Sequence, residues 1–173
     1  MFRSLKNDLQ ANRKNPQTIL VLTTYRFGNY VFYQAKSNMI KKPLWLLYKF
    51  MDLIFVRILS NGELHAQAKI GDFLHLPHGL NGIVISHKAV IGSNATIFHQ
   101  VTIGGRNQLG EPFIGDRVLI GVGAKILGPV TIGNDANIGA NSVVLKDVPD
   151  NASAVGIPAI NLLRNEPKAE NTR

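Results

Sequence analysis

The chain has no cysteine among its 173 residues. That excludes a disulfide framework, thiolate-ligated zinc, an iron–sulfur cluster and a cysteine nucleophile. Acidic side chains are scarce where basic ones are dense. Residues 1–60 hold ten Lys and Arg against Asp8 and Asp52, which accounts for the whole net charge of +8. No apolar run reaches the roughly 20 residues that a spanning helix needs. Aromatic residues make up 8% of the chain, with one tryptophan, and nothing resembles a recognition helix or an aromatic–basic platform, so nucleic acid is not an expected partner. Met1–Asp8 carries charges where a signal peptide would be apolar, so no secretion signal is expected. The 45% hydrophobic share excludes a disordered chain.

What the chain has is a repeat. From Ile85 an aliphatic residue returns every sixth position: Ile91, Ile97, Ile103. The phase breaks once and resumes at Ile114, Ile120, Ile126, Ile132, Ile138 and Val144. Four residues after each sits something small or β-branched, such as Ala89, Ala95, Ala124, Ala136 and Ser142. A period of six means short strands joined by corners, with side chains alternating between faces. Three strands close one coil of 18 residues, and stacked coils pair in parallel about 4.8 Å apart. The expected fold is mainly β, a prism-shaped parallel solenoid with a dry aliphatic core. Glycine, Asn94, Asn134 and Asn141 suit corners at or near positive φ.

Two irregularities interrupt the pattern. Leu76 to Ile97 spans 21 residues, which requires a three-residue bulge, placed in Gly79–Gly82. Gly104 to Phe113 contains an extra five-residue insertion with Arg106 and Glu111, expected as an extruded loop. Residues 1–60 lack the hexad. They are expected to hold a helix over about 17–37 and a second one opened by Pro43, capping the solenoid or packing between subunits. Peripheral contact of these basic residues with an anionic membrane is the other reading. The expected division is 1–60 helical region, 61–160 solenoid and 161–173 tail.

The repeat register sorts the five histidines. His78 and His99 are each third in their hexads and fall one coil apart on one outward edge. Two adjacent imidazoles beside a glycine-rich bulge suit proton transfer. His65, His75 and His87 are read as surface residues. Only two imidazoles are in register and no carboxylate joins them, so no metal site is expected.

The hexads, Pro77-His78-Gly79, Gln100–Gly105, Ile120–Gly128, Ile138–Val144 and Gly156-Ile157-Pro158-Ala159 resemble the hexapeptide-repeat acyltransferases. The nearest branch is the serine acetyltransferases and their relatives in capsule and exopolysaccharide clusters. The resemblance implies a left-handed β-helix, a homotrimer and acetyl-CoA held between neighbouring prisms. It places the general base on His78, with His99 orienting the acceptor or sharing the proton. Gly121, Ala124, Lys125, Ala140 and Ser142 match donor-lining turns, and Lys146 and Pro158 lie where the nucleotide end would run. Backbone amides around Gly104 are candidates for holding the oxyanion, and Arg164 is a further candidate at the nucleotide end. Asn81, Arg106 and Glu111 are the candidate acceptor contacts.

Two departures shape the functional expectation. Serine acetyltransferases carry Asp where Pro77 stands and His where Glu111 stands. With the short N-terminal part, these point to a sugar hydroxyl of a capsular or surface polysaccharide as acceptor. The expected activity is therefore O-acetyl transfer to a carbohydrate, direct and without a covalent enzyme intermediate, in the cytoplasm or at the inner membrane face. The alternatives are serine O-acetylation and a non-catalytic trimeric scaffold.

Overall fold

The computed structural model describes residues 2–13, 15–107 and 109–163. Three helices come first: α1 (Phe2–Ala11), α2 (Pro16–Gln34) and α3 (Asn38–Met51), the last continued by a π-helical stretch over Asp52–Ile58. Asn15 caps α2, its side chain accepting from Thr18 N–H, and Pro16 fills the first helical position. Pro43 lies inside α3 rather than at its start. The helix begins a turn earlier, where the Ser37 carbonyl accepts from Lys41 N–H at 2.8 Å.

From Glu63 the chain winds into a parallel solenoid with three faces. The first face stacks Glu63–Leu64, Val84–Ile85, Thr102–Gly104, Lys125–Leu127 and Val143–Val144. The second stacks Lys69–Ile70, Val90–Ile91, Phe113–Ile114 and Thr131–Ile132. The third stacks Thr96–Ile97, Leu119–Ile120, Asn137–Ile138 and Ala152–Gly156, against which Ala159–Leu163 returns antiparallel. Ile85 pairs with Ile103 and Ile114 with Ile132, one 18-residue coil apart in each case. The register column of aliphatics forms the core: Ile85, Ile97, Ile103, Ile114, Ile120, Ile126 and Ile132 are fully buried. Arg164 and the rest of the tail lie outside the described residues.

The corners follow from backbone conformation and close stacking. Asn94 and Asn141 take positive φ, but Asn134 does not; Asp135 does instead. The Asn134 side chain is occupied otherwise, accepting from Asp116 N–H at 2.8 Å. It belongs to a ladder in which Ser93 N–H donates to Asp116 and Asn134 N–H donates to Asp150. Beside that ladder runs a column of glycines. A Cβ on Gly92 would sit 2.6 Å from the Gly115 backbone, so the coils stack this closely only without one.

The helices close the first coil through polar side chains. Asn12 donates to Leu74 O at 2.7 Å and accepts from Leu76 N–H at 2.9 Å. Tyr25 OH donates to Ala68 O, and Thr18 Oγ1 to Leu76 O. Arg26 binds the carbonyls of Ile70 and Gly71 and pairs with Asp8 at 2.7 Å, while Asp8 accepts from Leu74 N–H. The open end of a parallel sheet exposes unpaired backbone groups, and these contacts satisfy them.

Candidate active site

The edge between the third and first faces carries the imidazoles. His78 and His99 lie with ring centroids 5.2 Å apart at an interplanar angle of 88°. Phe98 stands beside them, its ring 5.8 Å from that of His78. His78 is exposed and His99 half-buried. Nδ1 of His99 is buried and has no hydrogen-bond partner. An orphaned ring nitrogen costs stability, a cost that native folds tend to accept where a group has chemical work.

The ring pairing matches expectation, but the bulge sits one residue earlier than expected. Gln100 N–H donates to Asn81 O, as Gly123 N–H donates to His99 O and Asn141 N–H to Val122 O. Asn81 is therefore the backbone neighbour of His99. The three extra residues are His78, Gly79 and Leu80. Leu80 anchors the bulge in the core, and Gly79 takes φ +71°, a conformation that favours glycine. The bulge throws His78 outward, which brings its ring level with that of His99. The start of α2 packs against it: a Cβ on Gly79 would lie 3.0 Å from the Gln17 amide oxygen.

Above the imidazoles the same edge carries the Gly121–Lys125 turn, the Ala140–Ser142 turn and the Gly156–Pro158 turn. Lys125 directs its ammonium into this edge, donating to Gln100 O at 2.6 Å and Gly123 O at 3.0 Å. Ala124 is buried in the prism. Ser142 is also fully buried, and its hydroxyl accepts from Gly156 N–H at 3.1 Å. Its side chain thus ties the last strand to the coil below.

Other expected site residues lie elsewhere. Gly104, Arg106, Glu111 and Lys146 belong to the edge between the first and second faces, across the first face from the imidazoles. One chain does not unite the two groups. Glu111 Oε2 is buried there without a hydrogen-bond partner. The same edge holds a second imidazole pair that the sequence reading treated as isolated surface histidines. His65 and His87 have centroids 6.0 Å apart, and Glu63 lies 3.6 Å from His65 Nε2. His75 is half-buried on the third face, where burial lowers its pKa from 6.5. Among the described residues no three His, Asp or Glu side chains converge as a metal site. Phe98, Asn12, Thr18 and Gln17 escaped the sequence reading. Of these only Phe98, an aromatic pointing outward beside His99, left a signal.

The family signature of bacterial transferase hexapeptides (six repeats) matches residues 111–146. The chain is 45% identical over 180 residues to serine acetyltransferase of Mycobacterium tuberculosis, covering 96% of this chain and 76% of that protein. Its fold superposes on soybean serine acetyltransferase apoenzyme with a TM-score of 0.78 and 35% identity, covering 92% of this chain and 68% of that one. Serine acetyltransferase of Brucella abortus in complex with Coenzyme A gives a TM-score of 0.79 at 28% identity, covering 96% and 69%.

These relationships overturn the expected carbohydrate acceptor. The match runs through nearly the whole chain, including the helical part that was read as foreign to serine acetyltransferases. The local departures expected at Pro77 and Glu111 are outweighed by a match over 96% of the chain. The chain belongs to the hexapeptide-repeat acyltransferases and, within them, to the serine acetyltransferase family.

Proposed function

We propose that this protein transfers an acetyl group from acetyl-CoA to the side-chain hydroxyl of serine. The observation that carries the reading is the imidazole pair on an open edge, His78 against His99 at 5.2 Å, in a chain 45% identical to a serine acetyltransferase. The small turns stacked above the pair, at Gly121, Ala140 and Pro158, suit a narrow arm running along that edge. Lys125 and the exposed Pro158 turn are the contacts assigned to it.

Acetyl-CoA supplies a thioester whose acyl carbon is open to attack by a hydroxyl. Neutral His78 takes the hydroxyl proton as the new C–O bond forms. It returns that proton to the sulfur as the C–S bond breaks, so the imidazole ends as it began. His99, half-buried and less free to move, positions the acceptor against His78. Proton transfer by a positioned side chain contributes roughly 10²–10⁴ in rate.

The split of candidate residues between two edges supports a homotrimer, as the family resemblance implies. In such an assembly Arg106 and Glu111, which lie across the first face from the imidazoles, would approach the imidazole pair of a neighbouring copy. Glu111 would then offer its carboxylate to the ammonium group of serine, and Asn81 would line the acceptor side from the bulge.

The test is thiol release from acetyl-CoA with and without L-serine. Serine-dependent release is expected, and His78→Ala should lower kcat by roughly 10²–10⁴ with its size in solution unchanged. Release that serine does not stimulate, or a His78→Ala variant with full turnover, would overturn the assignment.

A further inference from the structure

The face of α3 and its π-helical continuation that turns away from the solenoid carries a stripe of exposed apolar side chains. Met39, Leu46, Phe50 and Leu53 recur at spacings that place them on one side of the helix, and they are 87%, 70%, 61% and 50% exposed. Tyr48, Asp52 and Val56, on the opposite side, are buried. Lys42 and Lys49, seven residues apart, border the stripe and are exposed. Beside it lies an apolar slot of about 190 Å³ formed by Leu5, Thr23, Phe27, Leu47 and Met51.

Charge on this face has one sign. Asp52 is the only acid between Lys36 and Ile58, and it is buried. Its carboxylate accepts from Arg57 Nε at 2.9 Å and from Tyr48 OH at 3.4 Å. The other acid of the first sixty residues, Asp8, is fully buried against Arg26. The exposed surface thus combines large apolar side chains with uncompensated lysines.

We infer that this face docks on an anionic lipid bilayer. The stripe enters the boundary between headgroups and acyl chains, Lys42 and Lys49 meet lipid phosphates, and the slot receives the end of an acyl chain. Contact between two copies of the face would bring like charges together, whereas anionic headgroups oppose them. No helix among the described residues is long and apolar enough to cross a membrane, so the contact lies along the surface. The inference is independent of which acceptor the enzyme uses.

The full chain should sediment with vesicles of phosphatidylcholine and phosphatidylglycerol, not with phosphatidylcholine alone, and salt should release it. Each lysine near such a surface is worth about fivefold in partitioning, so Lys42→Gln with Lys49→Gln should weaken binding about 25-fold. Leu46→Ser with Phe50→Ser should weaken it too, and acetyl transfer should be unaffected in both variants. A chain that stays in the supernatant with anionic vesicles overturns the inference. So does a native chain that is larger in solution than the Leu46→Ser/Phe50→Ser variant, since that assigns the face to contact between copies.

Discussion

Replacing Arg26 with methionine tests how the helices hold the solenoid. Arg26 is 6% exposed and Asp8 is fully buried. The guanidinium makes three bonds: to Asp8 at 2.7 Å, to Ile70 O at 2.8 Å and to Gly71 O. Methionine fills much of the volume and makes none of them. Asp8 is left with the Leu74 N–H at 3.0 Å, and two carbonyls of the first coil lose their donor. Breaking a buried pair by removing one partner costs about 3–5 kcal/mol. That is a large part of the roughly 5–15 kcal/mol that holds a domain folded. Urea unfolding should show a lower midpoint with an unchanged slope. Asp8→Ala combined with Arg26→Met should cost less than the two single changes together, because the double variant buries no lone charge. The pH dependence has a definite sign. Burial pushes the Asp8 carboxyl above its usual 3.8, although Arg26 pulls the other way. Without Arg26 the rise is greater, and a raised carboxyl favours the fold in acid and loses that contribution as pH climbs through the folded value. The deficit of the variant should therefore be smaller in acid than at neutral pH. A loss below about 1 kcal/mol, or strictly additive costs in the double variant, would refute the role given to the Asp8–Arg26 pair, since coupled pairs depart from additivity by about 0.5–3 kcal/mol.

Three further substitutions probe the prism itself. His75 has its pKa lowered from 6.5 by burial, so the fold should lose stability as pH falls from that value towards the folded one; His75→Gln should flatten this part of the profile in a thermal-melt series. Gly92→Ala places a Cβ 2.6 Å from the backbone of the next coil and should cost about 1–3 kcal/mol in urea unfolding. Gly104→Ala is the contrast, because its nearest neighbour would be Ser86 Cβ at 3.8 Å; unfolding should be unchanged, and a raised KM for acetyl-CoA would mark Gly104 as a donor contact.

The solenoid is legible in the sequence because the interior of a three-faced coil admits one large aliphatic residue per side, and Ile85 through Val144 announce each one. The meeting of His78 and His99 is legible for the same reason, although the bulge begins at His78 itself. Helix α1 is not, because what it buries is polar: Asp8, and Asn12 just past its end, dock by hydrogen bonds rather than by apolar spacing. Pro43 misled as a start signal, since the chain accepts one missing donor inside α3. The separation of Arg106, Glu111 and Lys146 from the imidazoles follows from counting hexads in threes, as every third corner shares an edge. Pro77 and Glu111 point locally to a carbohydrate acceptor, whereas the match to a serine acetyltransferase over 96% of the chain points to serine, and two positions weigh less than the whole.

The polar cap on the first coil has a consequence for growth. A parallel stack with a bare terminus is a template for another stack, and fibres are the result when nothing blocks it. Here the carbonyls of Ala66, Ala68, Ile70, Gly71, Leu74 and Leu76 and the N–H groups of Ala66, Leu74 and Leu76 are engaged by side chains of the helical region, so a stray prism finds most rungs there already taken. Lengthening is confined to the middle. Inserting one 18-residue turn between the Ile114 and Ile132 levels would raise the column by about 4.8 Å and leave the blocked terminus untouched.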